Sequence, residues 1–193
     1  MKAAYIVDDQ EVAGILVDPM RRAILGFLAE KPMTQSQLAD VLGLSDASLN
    51  YHMKKLRAAG LVTISKKVAE EHGIIQKFFS PVAYLFIYDL DALPKDISRY
   101  FYPISVERAR GVVSAMAARN GRAGGGGSSN KPYWEDMAAV TETLSRLLVG
   151  MAKPYTRKDV QHGSEAIAYE IYARAVRAWL DRKDAAAKPR QRR

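Results

Sequence analysis

Residues 34–62, TQSQLADVLGLSDASLNYHMKKLRAAGLV, decide the reading of this chain. Leu38, Ala39 and Leu42 recur on one face of a first helix, and Gly43 breaks it. Leu44 fills the turn. The Ser45 hydroxyl is placed to accept an orphan backbone N–H at the start of a second helix. Leu49, Met53 and Leu56 face inward along that helix, Gly60 stops it, and Leu61 and Val62 open a strand. This is the grammar of a helix-turn-helix, whose second helix is shaped to enter a DNA major groove.

The flanking residues extend the unit. Val62 to Lys66 alternates apolar and polar residues, as a half-buried strand does. A polar tip follows at residues 69–73, where Gly73 supplies hairpin freedom, and residues 74–79 read as the returning strand. A hairpin in this position is a wing. Upstream, Asp18-Pro19 caps and starts a helix carrying Ile24, Leu25, Phe27 and Leu28. Residues 18–80 are therefore expected to form a winged helix-turn-helix.

Three stretches resemble the ArsR-like winged-helix regulators of bacteria and archaea. They are DPMRRAIL (Asp18 to Leu25), SQLADVLGLSDASLNYHMKKLRAAGLV (Ser36 to Val62) and QKFF (Gln76 to Phe79). The spacing of Asn50, His52, Leu56, Gly60, Leu61 and Val62 carries most of the resemblance, which covers about a third of the chain. It implies a prokaryotic, archaeal-type source and a dimeric transcriptional repressor. The metal-sensing branch of that family uses cysteine ligands, which this chain lacks, and nothing beyond residue 81 matches the pattern.

The absence of cysteine among 193 residues excludes disulfides, thiolate metal sites and cysteine nucleophiles. No apolar run is long enough for a transmembrane helix, and the N-terminus lacks the apolar core of a signal peptide. A cytoplasmic, nucleoid-associated protein without membrane contact is expected. The net charge is +8, with eight basic against two acidic residues in 174–193 and nine against six in 18–81. That balance favours polyanions such as DNA.

Residues 1–17 are expected to include a short helix, with Val12, Ile15 and Leu16 against the winged unit. Residues 82–102 are aromatic (Tyr84, Phe86, Tyr88, Tyr100, Phe101, Tyr102) and read equally as helix or strand. Pro103 is expected to start a helix to Arg119, with Val106, Ala109, Val113 and Met116 on one side. Residues 120–130, NGRAGGGGSSN, have the composition of a flexible linker. Two amphipathic helices follow. The first runs over 134–149, with Trp134, Met137, Val140, Leu144, Leu147 and Leu148 inward and Gly150 ending it. The second runs over 164–183, with a stripe from Ile167 through Ile171 and Ala175 to Trp179 and Leu180 that is best read as a dimerisation surface, the alternative being packing within the chain against residues 103–119 and 134–149. The predicted organisation is 1–81 as the DNA-binding domain, 82–183 as a helical dimerisation region and 184–193 as a disordered basic tail.

The candidate DNA-binding residues lie on the second helix and the wing. Ser45, Ser48, Asn50 and Tyr51 can reach base edges or phosphates, and Asn can bond an adenine edge bidentately. Lys54 and Lys55 suit phosphates, which position without reading sequence. The resembled family carries histidine at the place of His52, which implies a structural or phosphate role rather than a metal ligand. Lys66, Lys67 and Lys77 can approach phosphates beside the wing, with His72 near its tip, while Glu70 and Glu71 oppose deep insertion. The aromatic residues, with Tyr133, Trp134, Tyr155, Tyr169, Tyr172 and Trp179, suit ordinary core and dimer packing better than a pocket for a small-molecule effector. The tail either adds non-specific DNA affinity or solubilises the chain.

No phosphate-binding glycine loop, GxSxG elbow or HExxH pair is present, so no enzyme, cofactor or metal is expected. The expected protein is mainly α with a small β-hairpin wing. It is read as a homodimeric, sequence-specific regulator of double-stranded DNA, most simply a repressor that sets residues 46–59 in the major groove. Two alternatives are an architectural chromatin protein of low specificity and a ligand-gated sensor.

Overall fold

A computed structural model describes residues 1–69, 75–119 and 137–187, with the side chains of 116, 117, 119 and 183–187 outside that description. The elements run β1 (Lys2–Val7), α1 (Gln10–Leu16), α2 (Pro19–Glu30), α3 (Gln35–Leu42), α4 (Asp46–Ala58), β2 (Val62–Ala69), β3 (Ile75–Pro81), β4 (Ala83–Tyr88), α5 (Lys95–Arg119), α6 (Met137–Ala152) and α7 (Glu165–Ala187). A 3-10 turn, Lys153–Thr156, follows α6.

The local signals act as their chemistry requires. Asp18 caps α2 by accepting from Met20 N–H at 2.8 Å, with Pro19 in the first turn. Thr34 and Gln37 form a reciprocal capping box at the start of α3. Gly43 ends α3 at φ 63°, a left-handed conformation that glycine adopts without the steric cost of a Cβ. β2 and β3 form the antiparallel wing, irregular between Ile64 and Lys66, and Met33 makes an isolated bridge to Phe79. Leu28, Leu38, Leu49, Met53, Leu56 and Leu61 are fully buried in the core beneath. Phe27, in contrast, is 40% exposed on the outer face of α2.

Beyond the winged unit the structure corrects several expectations. Residues 1–17 hold a strand as well as a helix: β1 pairs in parallel with β4, from Lys2 opposite Ala83 to Val7 opposite Tyr88. This settles residues 83–88 as strand. The other side of β1 is met by residues 158–160, where Ala3 N–H donates to Lys158 O at 2.7 Å and Val160 N–H to Met1 O at 2.9 Å. α5 begins at Lys95, eight residues before the proline expected to start it, and Pro103 lies inside. A mid-helix proline loses a hydrogen bond and crowds the preceding turn. That cost is offset by Phe101, fully buried and stacked on Tyr88 with ring centroids 4.0 Å apart. Gly150 does not end α6, which continues to a buried Ala152. α7 reaches Ala187, four residues into the segment expected to be a disordered tail, since its terminal alanines favour helix. The linker, wing tip, Tyr133, Trp134 and residues 188–193 lie outside the described residues.

Two cores result. The first fills the winged unit and reaches Val7, Tyr88, Leu93 and Phe101. The second gathers Ala3, Ala4, Ile87 and Ala109 with Leu144 and Leu148 of α6 and Ile171, Ala175 and Trp179 of α7. The β1–β4 pair and α5 contribute to both. The apolar stripe of α7 thus has its partner within the chain, against α6.

Candidate nucleic-acid interface

α4 presents two unlike faces. Leu49, Met53 and Leu56 are fully buried. Asn50, Tyr51, Lys54 and Lys55 are exposed, and Ser48 is half-buried. Ser45 is exposed, but its hydroxyl is engaged as the N-cap, accepting from Ser48 N–H at 3.3 Å. Lys55 Nζ lies 5.9 Å from the Tyr51 ring centroid, so the aromatic and the cation share one patch.

His52 turns away from that patch. Its side chain is 15% exposed, and Nδ1 lies 3.4 Å from Asp18 Oδ2. The same oxygen is 3.5 Å from Arg21 Nε, and Arg21 also donates to Ile15 O at 2.7 Å. The Asp18 carboxylate therefore caps α2 with one oxygen and faces Arg21 and His52 with the other. Neither Arg21 Nε nor His52 Nδ1 makes a hydrogen bond there, so His52 sits against the start of α2 by proximity and packing, a placement suited to a structural role.

On the wing, Lys66, Lys67 and Lys77 are exposed. Lys67 stands directly opposite Lys77 in the ladder, and Lys66 Nζ lies 5.9 Å from the Phe78 ring centroid. Like charges placed opposite each other destabilise a hairpin. Neither lysine has an acidic partner among the described residues. The pair is an arrangement that a polyanion would relieve.

Two further residues join this surface that sequence reasoning did not single out. Gln35, at the start of α3, donates its side-chain amide to Asn50 Oδ1 at 3.3 Å. Arg57 is exposed, with its guanidinium 5.7 Å from the Phe79 ring centroid. Gln35, Asn50, Met53, Lys54, Arg57 and Ala58 line a groove of about 480 Å³ between α3 and α4. The helical spacing of 50, 54 and 57 was a usable signal for Arg57. Nothing in the sequence marked Gln35, whose partner lies across the turn.

A separate cleft of about 330 Å³ opens where the β4–α5 loop meets α5 and α6. Its lining is chiefly charged, including Asp89, Asp91, Lys95, Arg99, Glu142 and Arg146, with Tyr102 beside them. Arg146 Nε and Asp91 Oδ2 close part of it at 2.6 Å. Three other aromatics of residues 82–102 are used elsewhere. Tyr88 and Phe101 stack in the first core, and Tyr84 donates to Glu30 at 3.1 Å. Burial and that carboxylate push the Tyr84 phenol up to about 12.

Comparison with protein-family models matches residues 16–64 to a helix-turn-helix domain. No curated protein matches the chain. The match runs from the end of α1 to the start of β2, the stretch that holds α2, α3 and α4. The chain carries a helix-turn-helix DNA-binding domain in a winged setting. No helix among the described residues is long and apolar enough to cross a membrane.

Proposed function

We propose that the protein is a transcriptional regulator that sets α4 in the major groove of double-stranded DNA and rests its wing on the adjoining backbone. One observation carries this reading: the outer face of α4 and the opposed wing lysines carry exposed cations with no acidic partner among the described residues. In this reading Asn50 and Tyr51 meet base edges, with Ser48 beside them. Lys54, Lys55, Lys66, Lys67 and Lys77 meet phosphates. Ser45 and His52 serve by holding α4 in place, the first as its cap and the second by packing against the start of α2.

A single recognition helix reads only a half-site, so the specific regulator is a homodimer. Its two α4 helices engage successive turns of DNA about 34 Å apart. Repression follows most directly, by occupation of a promoter. Genomic fragments selected on the purified protein at near-physiological salt test the proposal. A pseudo-palindromic motif upstream of a small set of genes is the expected result. Broad enrichment without a motif would refute specific regulation and leave an architectural role.

A further inference from the structure

We propose that Gln35 is a positioning residue for base recognition: it holds the Asn50 carboxamide in the sense that reads adenine. The inference rests on the DNA-binding reading above and deepens it. Gln35 is the first residue of α3, yet its side chain has no capping duty. The Thr34 hydroxyl takes Gln37 N–H at 3.2 Å, and the Gln37 side chain takes Thr34 N–H at 3.0 Å. The start of α3 is therefore fixed by its neighbours, and the Gln35 amide is free to reach across the turn. It does so over a sequence separation of 15, donating to Asn50 Oδ1 at 3.3 Å.

That bond has a consequence for recognition. A free asparagine amide can turn over and exchange its donor and acceptor sides. Donation from Gln35 favours the sense with Oδ1 on the α3 side and the Asn50 N–H groups directed away from it. A carboxamide held this way offers an N–H donor beside an oxygen that keeps a second lone pair. Adenine presents the complement in the major groove, an acceptor at N7 and an amino donor at N6. Guanine presents two acceptors there, so its O6 would confront the amide oxygen. Lys54 and Arg57, which line the same groove, supply the charge that holds the backbone nearby.

The test is binding of the full chain to duplexes randomised over the selected site, read as base preference at each position and as affinity for random duplex. The wild type is expected to prefer adenine over guanine at one position per half-site by about tenfold. Asn50→Ala erases that preference. Gln35→Ala erases most of it, with a loss on adenine-bearing duplexes larger than any loss on random duplex, and melts close to wild type. Adding Gln35→Ala to Asn50→Ala costs nothing more at that position. Gln35→Glu, which can only accept, turns the amide over and moves the preference toward cytosine, whose N4 amino group donates.

Unchanged adenine preference in Gln35→Ala would overturn the proposal. So would equal weakening on every duplex, which would make Gln35 a phosphate contact. A wild type that binds DNA without base preference overturns both this inference and specific regulation. A wild type that binds no DNA overturns the functional reading itself, and that result appears before any variant is made.

Discussion

Replacing Lys77 by Gln is expected to make the protein more stable and to weaken its hold on DNA. Lys67 and Lys77 are directly opposed on β2 and β3, so their side chains leave the same face of the hairpin. An opposed like-charge pair costs about 0.2–1 kcal/mol, and exposure and salt place this pair at the low end. Gln keeps the stem and removes the charge. The expected gain is a few tenths of a kcal/mol, or about 1 °C in Tm for a chain of this size. Lys67→Gln should give a similar gain, and the double variant little beyond either single one, because the repulsion is removed once. On DNA the sign reverses. Each phosphate that the wing no longer neutralises flattens the dependence of log K on log salt by about 0.9. For each such phosphate, a fourfold dilution of salt should strengthen wild-type binding about threefold to fourfold more than it strengthens the variant's. Thermal melting and a salt titration of binding provide both measurements. A variant that melts several degrees lower would show that the lysines are partnered rather than opposed. An unchanged salt slope would show that the wing does not touch DNA.

Gly43→Ala should destabilise by about 1–2 kcal/mol in urea titration, because φ is 63° and the cost is that of a left-handed L-residue. Nothing lies within 4 Å of the added Cβ, so a loss several times larger would contradict a purely backbone origin. Phe101→Ala should cost about 3–5 kcal/mol, as expected for a fully buried ring, and a loss below about 1 kcal/mol would detach the first half of α5 from the winged core. His162, hydrogen-bonded to Ser80 at 2.9 Å, titrates below its ordinary 6.5, because burial and then the N-terminal charge oppose protonation. The unfolded chain binds the proton more readily, so the stability this group contributes is full above about pH 6.5 and falls as the pH drops through the lowered value. His162→Gln should remove that part of the acid dependence, and an identical pH–stability profile in the variant would refute the assignment.

What was legible in the sequence was what short-range chemistry dictates. Ser45, Gly43 and the triplet Leu49, Met53 and Leu56 sit within a few turns of one another, and each acts on its neighbours. β1 was not legible because its partner, β4, lies some eighty residues away and two of its six residues are alanines of low strand propensity. The start of α5 was missed because burial of Phe101 against Tyr88 overrides the local signal of Pro103. The stripe of α7 was read first as a dimerisation surface, but periodicity does not name what covers an apolar face, and in the structure α6 packs on it, the alternative the sequence had left open. At the candidate interface the exposed face of α4 followed from the wheel of buried positions. The Gln35–Asn50 bond did not, since it depends on how the turn brings two helices together.

The placing of β1 also bears on the order in which the chain can assemble. The helices α2 to α4 and the wing close over short sequence separations and are free to form early. β1 is made before all of them, yet its two edges are met by β4 and by residues 158–160. A strand that leaves the ribosome ahead of both its partners is thus among the last to be seated. Until its second edge arrives it remains an open strand, able to pair with the wrong neighbour. Lys2, which meets Asp159 at 3.0 Å once the strand is seated, carries a charge that discourages such pairing in the interval.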